Sequence, residues 1–151
     1  MMDKLQDYAP DLSGSVQALG ILGGMISAAF GGWSTGIAAL LICMGVDYIT
    51  GLVVAGVFHA SKKSANGTLD SRVGWKGLCR KGMTLLMVLI AAQLDLVIGV
   101  DFIRDAVVIA YIANEVLSII ENAGLMGVPV TPALARAIEI LQSRAEDTGE
   151  K

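Results

Sequence analysis

RDAVVIAYIANEVLSIIENAG, residues Arg104 to Gly124, is the stretch of this chain that decides its fold. At helical spacing, one face of this stretch carries a stripe in which five of the six residues are polar or amphipathic: Arg104, Val108, Tyr111, Glu115, Ser118 and Asn122. The stretch as a whole is nevertheless apolar enough to enter a bilayer. A charged side chain at the centre of an inserted helix costs roughly 3 kcal/mol, so the stripe is expected to face a partner helix or water rather than lipid.

The composition of the chain indicates a membrane protein. Of its 151 residues, 54% are hydrophobic and 17% are charged, whereas soluble domains are about a quarter charged. This length predicts one domain. Six of the eleven basic residues lie in one short segment, Lys62 to Lys81, between apolar runs, so we expect no nucleic-acid partner. The start of the chain is acidic and lacks the basic region of a signal peptide, so we expect no cleavage.

No residue pattern in the sequence predicts a catalytic, cofactor or metal site. Cys43, Cys79 and the single His59 lack metal-ligand spacing. There is no nucleophile–base pair and no phosphate-binding loop. An enzyme is therefore the least favoured class, and no cofactor is expected.

The distribution of apolar runs predicts an all-α integral membrane protein. A polar amino-terminal tail over 1–15 is followed by a transmembrane domain over 16–122 and a cytoplasmic tail over 123–151. The predicted spans lie at about 16–30, 37–58, 83–100 and 102–122, and a basic cytoplasmic loop occupies 59–82. Pro10 and the residues up to Gly14 are expected to break any helix before the first span. That span is only weakly hydrophobic, so three spans remain if it does not insert.

Two further helix features are predicted at the ends of the chain. In the first span, small residues recur at steps of four and predict a helix-packing face: Gly20, Gly24, Ala28 and Gly32. Near the carboxyl end, Thr131 and Pro132 are suited to be the N-cap and first residue of a short amphipathic helix. Leu134, Ile138 and Leu141 form its apolar stripe, which is expected to lie on the membrane or on a neighbouring helix.

The basic residues predict the topology. Four spans place both termini and the long loop on one side, together with ten of the eleven lysines and arginines, and leave only Arg104 opposite. The positive-inside rule then places both termini in the cytoplasm. The loop residues expected to set topology or contact anionic lipid are Lys62, Lys63, Arg72, Lys76, Arg80 and Lys81.

Acidic residues within predicted spans two, three and four are candidates for a pore. The pore or gating candidates are Asp47, Asp95, Glu115, Ser118, Asn122 and Arg104. Asp47 could equally be a buried carboxylate that holds helices in register. Arg104 is expected to pair with Asp101 or Asp105 at the rim, and Asp95 could reach Arg104 if the turn between their helices is tight. Besides a pore, these residues leave open an ion or proton channel, a transporter subunit, or a membrane scaffold.

Several short motifs resemble the toxin-secretion/phage-lysis holin family. The most specific is YIANEVLSIIENAG, residues 111–124, and the others are DYITG at 47–51, SKKS at 61–64, GLCRK at 77–81, Asp95 and GVP at 127–129. The resemblance covers roughly residues 37–141. Val116 and Val130 depart from the family, which usually has glycine and proline there.

The resemblance implies a bacteriophage-type holin without enzymatic activity. Such proteins form homo-oligomers in the bacterial cytoplasmic membrane and open lesions there. A murein hydrolase (endolysin) or a toxin then crosses, without a required direct contact, and host cell lysis or toxin secretion follows.

Overall fold

The computed structural model describes residues 9–149, with the side chains of residues 14–144, and all regular secondary structure in this part of the chain is α-helical. The helices are α1 (Ala9–Ala29), α2 (Thr35–Gly56), α3 (Ser71–Ile98), α4 (Ile103–Leu125) and α5 (Pro132–Gly149). The all-α prediction is confirmed. Two helices, α2 and α3, are long and apolar enough to cross a membrane. The chain divides into two compact units, with the boundary in the sequence between Trp33 and Ser34.

Helix α1 begins earlier than the sequence predicts. It starts at Ala9, so Pro10 lies in its first turn, where a missing N–H and a fixed φ are tolerated. The prediction that Pro10 to Gly14 break the helix is wrong for this reason. At the other end, Gly31 and Gly32 adopt φ values of 75° and 91°, and the Gly32 N–H bonds the Ser27 carbonyl at 2.8 Å. Gly32 therefore lies beyond the helix and does not extend its small-residue face.

Helix α2 has a side-chain cap at its start. Ser34 is in extended conformation and its hydroxyl accepts the Ile37 N–H at 3.2 Å. In the first turn of α2, a Cβ at Gly36 would lie 3.2 Å from Val108 Cγ1 of α4. Glycine at this position therefore allows α2 and α4 to approach closely.

Helix α3 is longer than the predicted third span. Asp70 caps it by accepting the Arg72 N–H at 2.8 Å, and 28 residues follow before Gly99 ends the helix with a φ of 78°. The predicted loop over 59–82 is thus irregular only as far as Asp70. Lysine and arginine are good helix formers, so the basic residues that suggested a loop continue the helix instead.

Helix α4 is the centre of the second unit, because α2, α3 and α5 all pack against it. The most deeply buried side chains are those of Leu40, Val54 and Val88. Large apolar side chains cover the outward surfaces of α2 and α3, among them Ile42, Ile49, Leu86, Ile90 and Val97. The unit therefore has apolar surface on the outside, as a protein solvated by lipid requires.

Helix α5 confirms the predicted amphipathic helix at the carboxyl end. The Thr131 hydroxyl accepts the Leu134 N–H at 3.4 Å, and the helix begins at Pro132. Ile138 is buried and Leu141 is half-buried, whereas Leu134 is exposed. Because α5 packs on α4, its apolar stripe covers a neighbouring helix.

Candidate functional site

Three charged side chains meet between α2, α3 and α4. Lys81 Nζ donates to Asp47 Oδ2 at 2.8 Å and also to Glu115 Oε2. The side chains of Asp47, Lys81 and Glu115 are only 10%, 13% and 9% exposed. We call these three residues the ionic cluster. With two carboxylates and one ammonium group, it carries one surplus negative charge.

Neutral polar groups on α2 and α4 complete the hydrogen bonding of Asp47. The Asn122 amide donates to Asp47 Oδ1 at 3.3 Å and to Thr50 Oγ1 at 3.0 Å. The Thr50 hydroxyl in turn donates to the Asp47 carbonyl at 3.0 Å, and Ser118 hydrogen bonds the Asp47 carboxylate. Three members of the predicted stripe, Glu115, Ser118 and Asn122, are therefore engaged within the monomer.

The positions of these residues follow from helical spacing. Glu115, Ser118 and Asn122 lie at steps of three and four, which puts them on the face of α4 directed at α2 and α3. Asp47 lies near the middle of α2 and Glu115 near the middle of α4. The cluster is thus remote from the ends of both helices.

A cavity of about 420 Å³ borders the ionic cluster. Its walls are α2, α3, α4 and the loop before α3, with Leu52, Met83 and Met87 among the apolar residues and Lys63 and Arg80 among the basic ones. A space of this size with several charged and polar groups in its walls can hold several water molecules.

Asp95 lies apart from the ionic cluster and has a different partner. Its two carboxylate oxygens accept the backbone N–H groups of Ile103 and Arg104, each at 2.9 Å. These donors are among the four at the start of a helix that lack a partner within it. Asp95 of α3 therefore caps α4 across the tight turn between the two helices.

Arg104 lies at the start of α4. Its Nε and Nη2 atoms contact Asp105 Oδ1 at 3.0 and 2.9 Å, so the predicted pair with Asp105 is confirmed. The Asp105 side chain is 58% exposed. Arg104 is thus separated along α4 from the cluster around Glu115.

The remaining predicted residues lie on outer surfaces. Lys62 and Lys63 are in the loop, whereas Arg72, Lys76 and Arg80 are on α3, and all five are exposed. On α1, Gly20, Gly24 and Ala28 are exposed, and no atom lies within 4 Å of a Cβ placed on either glycine. Among the residues that the structure describes, no group of three His, Cys, Asp or Glu side chains could hold a metal ion.

Lys81 is the site residue whose role the sequence analysis missed. It was grouped with the lipid-contacting loop, but α3 begins at Ser71 and directs Lys81 inward. Two signals pointed to it. Asp70 and Ser71 form a typical helix start, and intramembrane carboxylates need a cationic partner, which Lys81 at the border of the third apolar run can supply.

Together, the apolar outer surfaces of α2 and α3 and the paired polar groups between the helices fit a helical membrane protein. The model of the bacteriophage holin family matches residues 24–143. The chain belongs to this family, and the resemblance in its sequence motifs is confirmed.

Relatives of the chain come from bacteria and from a phage. An uncharacterized protein of Halalkalibacterium halodurans is 41% identical over 81% of this chain and 89% of its own length. A probable holin of Bacillus phage phi105 is 31% identical over 74% and 78%. An uncharacterized 14.9 kDa protein in the nagH 3' region of Clostridium perfringens is 31% identical over 82% and 89%. No solved structure matches the chain.

Proposed function

We propose that this protein is a holin that oligomerises in the bacterial cytoplasmic membrane and opens a non-selective lesion there. The observation that carries the proposal is the distribution of polarity in α2, α3 and α4. The outward surfaces of α2 and of α3 from Met83 onward carry large apolar side chains, while Asp47, Glu115 and Asn122 are buried and paired inside the unit. A holin needs both properties, because it must accumulate harmlessly and still contain groups that can line water.

The proposed topology has four spans with both termini in the cytoplasm. Helices α2 and α3 are apolar enough to span alone. Helix α4 carries four charged residues, but Lys81 pairs with Glu115, and Asp95 ties the start of α4 to α3. We therefore expect α3 and α4 to enter the bilayer as a hairpin. Helix α1, whose residues Gly14–Ala29 are apolar, supplies the fourth span.

In the proposed mechanism, the lesion forms when polar side chains that pair within one monomer give up these contacts and the monomers associate with one another. In the dispersed form, Asp47, Glu115, Ser118 and Asn122 remain paired inside each monomer. At high density, copies associate, with the small residues of α1 allowing close backbone contact. The polar residues of α2 and α4 then line water rather than one another.

The proposed partners are other copies of the chain, anionic lipid and a passenger protein. The exposed cations of the loop and of the first turns of α3 suit anionic headgroups on the cytoplasmic side. An endolysin or a toxin crosses without direct contact, because a non-selective lesion recognises no cargo. Phage lysis and toxin secretion are two uses of this one activity.

Induced expression in a bacterium tests the proposal. Membrane potential, optical density and release of a co-expressed cytoplasmic murein hydrolase are followed in the same culture. We expect abrupt depolarisation at a reproducible time, followed by lysis only when the hydrolase is present. Cells that stay polarised while the protein accumulates in the membrane would contradict a holin, and graded, ion-selective flux would indicate a channel or transporter instead.

A further inference from the structure

We propose that Lys81 sets the time of lesion formation, because it determines the net charge of the ionic cluster that opening of the monomer exposes to water. This inference rests on the proposed function. It identifies the residue that sets the time of lesion formation, and it predicts that a cluster of higher net charge forms the lesion earlier. The observation behind it is that one lysine contacts two carboxylates from two different helices.

The first step concerns what holds the helices together. Lys81 lies on α3 and donates both to Asp47 on α2 and to Glu115 on α4. All three side chains are 13% exposed or less, so bulk water screens them little. The polar groups of α2 and α4 can turn toward other copies only if the bonds from Lys81 break. The helices therefore cannot separate without breaking the ion pairs of the cluster.

The second step concerns the surplus charge. Burying an ion is unfavourable, and Lys81, which contacts both carboxylates directly, can compensate only one of them. The cavity beside the cluster, which Lys63 and Arg80 also line, hydrates it in part, since the three side chains are 13% exposed or less. An arrangement in which the cluster faces water solvates the surplus charge fully. The wild-type cluster thus favours opening more than a neutral cluster would, and less than a doubly negative one.

Substitutions at the three positions vary this charge in both directions. Lys81→Gln leaves two negative charges, whereas Glu115→Gln and Asp47→Asn each leave one ion pair with no surplus. Lys81→Gln combined with Glu115→Gln restores a single negative charge. Each replacement keeps a polar side chain of similar size that can still hydrogen bond.

The experiment measures the time from induction to depolarisation for each variant of the full chain, at accumulation matched by immunoblot of the membrane fraction. We expect Lys81→Gln to trigger earlier than wild type and both neutral-cluster variants to trigger later. The Lys81→Gln/Glu115→Gln variant should return towards the wild-type time. Arg136→Gln is the matched control, because Arg136 is an exposed cation on α5 outside both the cluster and the proposed lipid contacts, and it should not change the time.

Opposite shifts separate this role from a merely structural one, since simple loss of packing would shift all variants in the same direction. Equal times for all variants, or shifts in the same direction, would overturn the inference. If the wild type still depolarises the membrane, the proposed holin function would stand. If Lys81→Gln does not accumulate, Glu115→Gln and Asp47→Asn still test the inference. Wild-type timing in both variants would refute the predicted dependence on the charge of the cluster. Absence of depolarisation in wild type would instead refute the proposed function, and the inference with it.

Discussion

Asp47 and Asp95 lie in neighbouring apolar helices and have the same functional group, yet the fold uses them differently. Asp47 is engaged by side chains of α3 and α4, namely Lys81, Ser118 and Asn122. Asp95 accepts the backbone N–H groups of Ile103 and Arg104, at the start of the next helix. The difference indicates that a carboxylate within an apolar helix can have a purely structural partner, such as the start of the next helix. Position along the helix separates the two cases, since Asp47 is near mid-helix and Asp95 is one turn from a helix end.

The largest difference between the two sites should appear when the cation of the ionic cluster is removed. Lys81→Leu leaves Asp47 and Glu115 buried without a charged partner, and such a change costs about 3–5 kcal/mol. We expect the purified variant to unfold at clearly lower denaturant in detergent micelles, measured by circular dichroism. Lys76→Leu on the exposed face of α3 serves as control and should change stability by less than about 0.5 kcal/mol. Equal unfolding of the two variants would mean that the cluster does not hold the helices together.

A smaller effect is expected at the helix cap. Asp95→Ala removes the acceptor of two backbone donors, and the loss of a cap destabilises by about 0.5–2 kcal/mol. Asp95→Asn should retain most of the stability, because asparagine caps helices as well as aspartate does. Amide hydrogen exchange at Ile103 and Arg104 provides the local measurement. Unchanged protection in Asp95→Ala would show that the cap contributes nothing to the hairpin.

The smallest effect is expected at the Arg104–Asp105 pair. The Asp105 side chain is more than half exposed, and exposed ion pairs contribute about 0–1 kcal/mol. Asp105→Asn should therefore leave both the unfolding transition and the time of depolarisation close to wild type. A large shift in either quantity would assign Arg104 a role in the lesion beyond its surface pairing.

The extent of each helix was more predictable from sequence where apolar residues dominate. The predicted spans at 37–58 and 102–122 overlap α2 and α4 closely. The third was predicted to begin at Met83, because Arg80, Lys81 and three glycines obscured the helical pattern before it, whereas α3 begins at Ser71. Local capping by Asp70, rather than hydrophobicity, fixes that start.

The carboxylate and amide members of the candidate site were predictable from sequence, but Lys81 and the pairing of the residues were not. The stripe on α4 correctly grouped Glu115, Ser118 and Asn122 on one face, because helical periodicity is a local property. That Lys81 would lie between Glu115 and Asp47 depends on how α3 is rotated and shifted relative to its neighbours. A single sequence contains no direct information on such contacts.

The length of α3 makes the proposed insertion of this protein sensitive to the thickness of the membrane. Its 28 residues extend about 42 Å, whereas the hydrocarbon core of a bilayer is about 30 Å thick. In the proposed orientation, the excess is accommodated by tilt or by projection of the turns with Arg72 and Lys76 into the headgroups. A thicker bilayer would draw these cations toward hydrocarbon and so oppose insertion. Hydrophobic mismatch, set by the acyl chains of the host, therefore becomes a physical variable in how readily this protein would adopt the proposed membrane-embedded form.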